Sequence, residues 1–284
     1  MQNDVDDLVD LLDLEAIEVN IFRGVNPDER RQRIFGGQVA GQALVAAART
    51  VDDDRPVHSL HAYFLRPGDP TLPVLYEVDR IRDGRSFTTR RVVAIQHGRA
   101  IFNLQASFHI DEPGLEHLEP MPDVPDPETL PTRAERFERL GIDDPFADQP
   151  RPLDFRYITA SPLDRREPMG PVQQVWFRAD GHLPDSQVLH TCLLTYASDM
   201  TLLDTSLLPH GTGAIDGEIQ MASLDHAMWF HGTFRADEWL LYDQYTPAST
   251  GARGLATGRV FTHDGRLIAS VVQEGLIRKV TPTS

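Results

Sequence analysis

A chain of 284 residues with 40% apolar content is long enough to bury a large core as one big domain or two ordinary ones. Its formal net charge of −16 argues against a nucleic-acid partner, because neutralising phosphates requires an excess of Lys and Arg on at least one face. The single cysteine, Cys192, excludes an internal disulfide framework and fits a reducing compartment.

The N-terminus opens acidic, at Asp4, Asp6, Asp7 and Asp10, without the basic, apolar and small-residue order of a secretory signal. No uninterrupted apolar run approaches the ~18 residues of a membrane span. The expectation is a cytoplasmic protein with no membrane partner. The first half has a helical stretch rich in small residues over 36–50, followed by a strand containing His61-Ala-Tyr-Phe64. Residues 84–110 then read as a hairpin, two alternating strands meeting at His97-Gly98-Arg99. From about residue 111 the composition shifts abruptly to proline, including Pro113, Pro120, Pro122, Pro125, Pro127, Pro131, Pro145, Pro150 and Pro152. Proline removes a ladder donor and fixes φ, so this segment is a linker, interrupted by a short helix over 133–140. A second helix follows over 186–203, then a strand containing Ala227-Met-Trp-Phe230 and a second hairpin over 251–277, turning at Asp264-Gly265-Arg266.

The order helix, strand, hairpin occurs twice. Gly98 falls on Gly265, Arg99 on Arg266 and Ile110 on Ile277, each 167 residues apart (265 − 98 = 167), and the intervening strands match at 166. Segregated helices and antiparallel strands indicate an α+β fold: two antiparallel sheets, each wrapped around a long helix, joined edge to edge into one extended sheet that protects the strand edges. The expected boundaries are an N-terminal unit over 1–112, a linker over 113–152 and a C-terminal unit over 153–284.

Several signals carry no chemistry on inspection. Cys192 lies in an apolar run and reads as an inert buried thiol. There is no Gly-x-Ser-x-Gly nucleophile elbow, and Gly211-x-Gly213 follows no strand suited to a dinucleotide site. The eleven histidines form no His-Glu-x-x-His set and join no cysteine pairs, so neither a metal nor another cofactor is expected. Asp225-His226 is the one adjacent pair suited to acid–base work, with a buried structural histidine as the equal alternative.

From about Leu8 to Arg278 the sequence resembles the acyl-CoA thioesterase II family. The resemblance rests on Phe22-Arg-Gly24, on Ile34-Phe-Gly-Gly-Gln-Val-Ala-Gly-Gln-Ala-Leu44, on His58-Ser-Leu-His-Ala-Tyr-Phe-Leu-Arg-Pro-Gly68 and on Arg82-Asp-Gly-Arg-Ser-Phe87. In the second half it rests on Tyr196-Ala-Ser-Asp199, Leu224-Asp-His-Ala-Met-Trp-Phe-His231 and Val271-Val-Gln-Glu-Gly275. The resemblance implies a double hotdog fold, assembly into homodimers or higher homo-oligomers, and hydrolysis of acyl-CoA. It further implies a catalytic trio of an acid, a hydroxyl and a glutamine that positions a water, matching Asp199, Ser223 and Gln273 here. The middle place is Thr in the bacterial pattern; Ser keeps the hydroxyl and loses the β-branch.

Those residue types suit thioester hydrolysis, which needs an attacking water, a proton acceptor and donors for an oxyanion, but no covalent nucleophile. A carboxylate at Asp199, after a buried helix, loses hydration, which raises its pKa towards the range of a general base; alternatively it bonds a backbone donor near a helix end. Ser223, at the expected start of a strand, carries no signal alone. Gln273 shares an apolar strand face with Val271 and Ile277 and needs partners there: a water for its carbonyl and Ser223 for its amide. The matching places in the first half are Ala106 for Gln273, the neighbourhood of Val57 for Ser223, and that of Leu44 for Asp199. One active site per chain is therefore expected. For substrate binding, Gly36 and Gly37 offer N–H groups to an oxyanion or phosphate, with close helix packing as the alternative. Arg66 and Arg85, among Arg82, Arg90, Arg91 and Arg253, are candidates for the CoA phosphates, and Met228 and Trp229, with Phe35, Tyr63 and Phe230, for an acyl groove. The rival readings are a hotdog hydratase or dehydratase using Asp225 and His226, and a non-catalytic acyl-CoA-binding protein.

Overall fold

The computed structural model describes residues 2–27, 32–144, 151–163, 165, 167–212 and 219–280. Pro145, Pro150, Gly213 and residues 281–284 lie outside them. In the first half, α1 (Gln2–Leu12), β1 (Glu15–Glu18) and β2 (Ile21–Gly24) precede the long helix α2 (Gly36–Ala48), which is followed by β3 (Val57–Phe64), β4 (Val74–Asp83), β5 (Phe87–Gln96) and β6 (Arg99–His109). After α3 (Arg133–Leu140), the second half comprises β7 (Leu153–Tyr157), β8 (Val172–Ala179), the long helix α4 (Gln187–Ser198), β9 (Ile219–Ser223), β10 (Asp225–Phe230), β11 (Leu240–Thr250), β12 (Arg253–Thr262) and β13 (Leu267–Lys279).

All thirteen strands belong to one antiparallel sheet in the order β1-β2-β4-β5-β6-β3-β10-β13-β12-β11-β8-β7, with β9 pairing to β13 off that path. The halves join where β3 meets β10. His61 pairs there with Ala227, its own counterpart in the repeat (227 − 61 = 166), with Leu60 opposite Met228 and Ala62 opposite His226. A pseudo-two-fold axis thus passes between His61 and Ala227, and each half closes the other's exposed strand edge.

The hairpin turns follow from their residues. His97 and Gly98 both have positive φ, 50° and 68°, as a tight primed turn between twisted strands requires.

The two long helices pack against each other inside the sheet. Every residue from Gly37 to Ala47 is buried, so α2 has no polar face to lose and no amphipathic stripe to display. Its glycines explain the close approach: a Cβ on Gly37 would collide with the Tyr196 carbonyl, and one on Gly41 would lie 3.2 Å from that of Cys192. This packing pairs the start of α2 with the end of α4.

The internal repeat holds for strands but not across the helices. The strands match at 166 to 167 residues, whereas the helix starts differ by 151 (187 − 36) and the C-caps by 150 (199 − 49). The second half has about sixteen extra residues after its helix, including the 3₁₀ segment Leu203–His210. The expected correspondence of Asp199 with Leu44 is therefore corrected: by matching C-caps, the place of Asp199 in the first half is Arg49. The second helix also ends at Ser198, short of the expected 203, for the same reason.

The proline-rich segment is a strap. Trp176 Nε1 donates to the Pro125 carbonyl and Trp239 Nε1 to Glu128, each at 2.9 Å. Met121, Val124 and Leu130 pack on Trp176, Trp239, Leu241, Phe261 and Leu267, a small second core on the outer side of the sheet. Its helix α3 begins with a capping box between Thr132 and Glu135.

Candidate active site

Asp199 is the C-cap of α4, and the antiparallel packing of the helices delivers it to the first turn of α2. The N-cap of α2, Phe35, offers no side-chain acceptor. The Gly37 N–H donates instead to the Asp199 carboxylate, which thus caps a helix of the other half. Two further donors converge on the same group. Ser223 Oγ donates to Asp199 Oδ1 at 2.9 Å, and Gln273 Nε2 donates to Oδ1 at 2.5 Å and to Ser223 Oγ at 3.0 Å. The three side chains chosen from the sequence therefore form one closed hydrogen-bonded set.

Strand register explains how they meet. Ser223 is the last residue of β9, not the first of a strand as expected, and it pairs with Gly275 of β13. Gln273 lies two residues before Gly275, on the same face, and is fully buried. A carboxylate only accepts, so the amide must turn its nitrogen towards Asp199 and its oxygen away. Gln273 Oε1 is buried and has no protein partner among the described residues. A buried carbonyl in that state needs a donor.

The electrostatics of Asp199 follow from competing effects. Desolvation pushes its pKa up to about 6; the hydrogen bonds from Gln273, Ser223 and Gly37 and the charge of Arg33 hold it down against that. Burial of the Cys192 thiol pushes its pKa up to about 12, which leaves it without nucleophilic character.

Other predicted site residues are placed differently. Gly36 adjoins the carboxylate: a Cβ there would lie 2.7 Å from Asp199 Oδ2 and 2.8 Å from the Phe64 ring. The Gly37 N–H is committed to Asp199, and Gly37 also meets the helix-packing requirement. Met228 and Trp229 are consecutive on β10 and so face opposite ways. Met228 is fully buried beside Ser198, and Trp229 is 36% exposed, with its ring edge-on to His61. The expectation that both line one groove is corrected accordingly. Tyr63 likewise stands exposed on the outer face, whereas Phe35 packs edge-on against Tyr196 beside the site.

The arginines also divide. Arg85 receives a bond from Arg55 on its carbonyl, near the start of β3, whereas Phe64, at the other end of β3, packs against Gly36. Eight residues of strand, roughly 23 Å at the usual rise, separate the two ends. Arg85 is thus not brought to the trio. Arg90 is buried and spent on Thr50 and Asp83, Arg91 pairs with Asp79, Arg253 with Glu274, and Arg66 donates to the Ala100 carbonyl.

Asp225 and His226 also point to opposite faces. Asp225 accepts from the Glu274 N–H, while His226 is buried against Ser198 Oγ at 2.8 Å. Desolvation pulls the pKa of His226 down to about 4. They do not form an acid–base pair.

Sequence reasoning missed Arg33, Phe64 and the Ser198–His226 contact. The charge of Arg33 reaches Asp199, and Phe64 flanks Gly36 beside it; nothing in their local sequence signals either placement. The Ser198 hydroxyl donates to the Thr195 carbonyl, which leaves it to accept from His226.

Known proteins share this architecture and its sequence. Residues 154–276 match the family model described as acyl-CoA thioesterase, and residues 26–109 that of the acyl-CoA thioesterase N-terminal domain. Acyl-coenzyme A thioesterase 8 of Homo sapiens is 43% identical over 94% of this chain and 88% of its own length. Acyl-CoA thioesterase 2 of Haemophilus influenzae is 38% identical over 98% of this chain and 99% of its own. The crystal structure of acyl-CoA thioesterase II TesB2 from Mycobacterium marinum superposes with a TM-score of 0.80 at 48% identity, covering 96% of this chain and 99% of that one. Both halves and nearly the whole length are accounted for by the same relatives, and this chain belongs to the acyl-CoA thioesterase family.

Proposed function

We propose that this protein hydrolyses fatty acyl-CoA to a free fatty acid and coenzyme A by direct attack of a water held between Asp199 and Gln273. The observation that carries the reading is the closed set of Asp199, Ser223 and Gln273 with one buried acceptor, Gln273 Oε1, left over. A water donating one hydrogen to that oxygen and the other to Asp199 has its lone pair free for a carbonyl carbon. Asp199, with its raised pKa, takes the proton as the C–O bond forms. Ser223 holds the carboxylate by donating its only hydrogen to it. The N-terminal end of α2 beside Gly36 supplies positive helix-dipole potential and N–H groups near the developing oxyanion. Collapse of the tetrahedral intermediate breaks the C–S bond; the thiolate takes a proton, and the acid leaves with one oxygen from water.

The hydratase reading loses its proposed machinery in the opposed orientations of Asp225 and His226. A binding protein without turnover has no use for a carboxylate poised as a base. Thiol release from acyl-CoA tests the proposal: the thioesterase reading requires free thiol, and consumption of an enoyl-CoA chromophore without thiol contradicts it.

The same reading divides the chain into units over 1–112 and 153–284, linked by 113–152, with one active site drawing on both. It places the protein in the cytoplasm as a homodimer or higher homo-oligomer. Among the described residues no helix is long and apolar enough to cross a membrane. Tyr63 and Trp229, exposed on the outer face at the β3–β10 seam, suit the face to a second copy. Sedimentation as a monomer contradicts the last point.

A further inference from the structure

Two consecutive residues close α4, and each is held by a side chain of the sheet. Gln273 donates to the Asp199 carboxylate, and His226 Nε2 lies 2.8 Å from the Ser198 hydroxyl. The two strand residues are themselves neighbours. Register sets Ala227 of β10 opposite Val272 of β13, so one step along puts His226 beside Gln273 on the inner face, both of them buried.

The proton positions at Ser198 follow from its single hydroxyl hydrogen. That hydrogen goes to the Thr195 carbonyl at 2.9 Å, so the oxygen accepts from His226 Nε2. His226 is then the Nε2–H tautomer, and its Nδ1, a buried acceptor, has no protein partner among the described residues. Burial pulls the pKa of His226 down to about 4, below the value of about 6 at Asp199, so the imidazole is neutral wherever that carboxylate is ionised. Its influence on Asp199 is one of position, not of charge. The Tyr242 hydroxyl adds a second hold from β11, donating to the Ser198 carbonyl at 3.3 Å.

The first half shows what packing alone requires at these places. Leu60 stands where His226 does (226 − 166 = 60), and it lies opposite Ala106, which stands where Gln273 does (273 − 167 = 106). Matching C-caps puts Ala48 in the place of Ser198 (198 − 150 = 48). Leu60 is fully buried and Ala48 packs against the same core, with no polar side chain to desolvate. The second half instead buries an imidazole with an unpaired nitrogen, a cost that an apolar pair avoids. Of the two equivalent places, only the one beside the trio carries the polar pair.

We propose that His226 is a positioning residue: through Ser198 it fixes the last turn of α4 so that the Asp199 carboxylate meets Gln273 and Ser223. The proposal rests on the thioesterase reading above. The bonds that Asp199 accepts, 2.5 Å from Gln273 and 2.9 Å from Ser223, weaken steeply with distance and angle, so a small displacement of the helix end loosens both. Looser bonds stabilise the carboxylate less, and Asp199 then ionises at higher pH.

The test measures kcat, KM and the pH profile of acyl-CoA hydrolysis, with Tm at neutral pH, in the wild type, His226→Leu, Ser198→Ala, the double variant His226→Leu/Ser198→Ala, and His226→Gln, which keeps an N–H donor. In each single variant lacking the bond, kcat is expected to fall by between about tenfold and about 10²-fold, the latter the scale of a misplacement near 1 Å, with KM little changed. The rising limb of the profile moves to higher pH; Arg33 and Tyr242, which also interact with Asp199, are the same in every variant. His226→Gln largely restores kcat and the limb. The double variant recreates the Leu60 and Ala48 arrangement, so it is expected to match or exceed the single variants in Tm while being as slow as His226→Leu and no slower. Wild-type kcat and profile in the single variants overturn the proposal. Recovery of kcat together with Tm in the double variant also overturns it, by assigning the pair to packing, and so do losses that add, by making the two residues independent. Should His226→Leu fail to fold, Ser198→Ala decides: a wild-type rate there overturns the proposal. Wild-type protein that releases no thiol from acyl-CoA overturns the thioesterase reading itself, a distinct result because it precedes any substitution.

Discussion

Gly36 and Asp199 lie in different halves of the chain, yet a Cβ on Gly36 would fall 2.7 Å from the Asp199 carboxylate. The neighbouring Gly37 is constrained differently, since its Cβ would strike the backbone carbonyl of Tyr196. These contacts separate function from packing. Gly36→Ala displaces side chains that can move, so kcat is expected to fall by about 10²-fold, the scale of a misplacement near 1 Å, with little change in Tm. Gly37→Ala forces the helices apart and is expected to cost about 1–3 kcal/mol of stability as an overpacked site. Steady-state kinetics and thermal melts on both variants check this; the reverse pattern contradicts it.

The raised pKa of Asp199 predicts a pH profile. A general base works when deprotonated, so kcat/KM is expected to rise with pH through about 6 and to level off above it. The sign for stability is the opposite. A carboxyl whose folded pKa exceeds its unfolded value of 3.8 binds protons more tightly in the native state, so its favourable contribution is present at low pH and is lost as pH rises through about 6. Asp199→Asn stays neutral and is therefore expected to gain in Tm relative to wild type between pH 4 and pH 8. A difference that shrinks over that range contradicts the assignment.

The proposed role of Ser223 rests on its hydroxyl, which donates to Asp199 and accepts from Gln273, and needs no β-branch. Ser223→Thr is expected to stay within about threefold of wild type, and Ser223→Ala to lose about 10²-fold in kcat, comparable with removing one positioned donor. Equal activity of the alanine variant would remove the hydroxyl from the mechanism.

How far the sequence anticipated this arrangement depends on distance along the chain. The hairpins were legible because His97-Gly98 and Asp264-Gly265 turn locally, and strand alternation put Gln273 on the inner face without any knowledge of its partners. An edge-to-edge join of the two sheets was expected, but the 166-residue repeat did not say that β3 and β10 would form it, because which edges meet is decided by packing between the halves. The repeat failed at Asp199 because about sixteen residues inserted after α4 break the constant separation, so the counterpart is Arg49 and not Leu44. The capping of α2 by Asp199 and the approach of Arg33 to it depend on the packing of one half on the other, and no local pattern encodes them. Met228 and Trp229 were grouped by chemistry, although adjacent strand residues cannot share a face.

His226 occupies the place that Leu60 holds in the first half, and both are buried. Its folded pKa of about 4 lies below the ordinary 6.5, so the native state resists protonation. Stability is expected to fall as pH drops from about 6.5 to 4, by up to about 3 kcal/mol from this residue. His226→Leu keeps the volume and removes the titration. Its Tm relative to wild type should therefore rise as pH falls through that window; a constant difference means that His226 does not titrate there.

The central claim is that Asp199, Ser223 and Gln273 activate a water against an acyl-CoA thioester. The most direct measurement is the rate of free-thiol release from a long-chain acyl-CoA by wild type and by Asp199→Asn, with acyl-CoA affinity measured on the same samples. The account predicts thiol release by the wild type and a loss of about 10²-fold or more in kcat for Asp199→Asn, the lower range for positioned acid–base catalysis, at unchanged affinity. A variant that releases thiol as fast as wild type contradicts it.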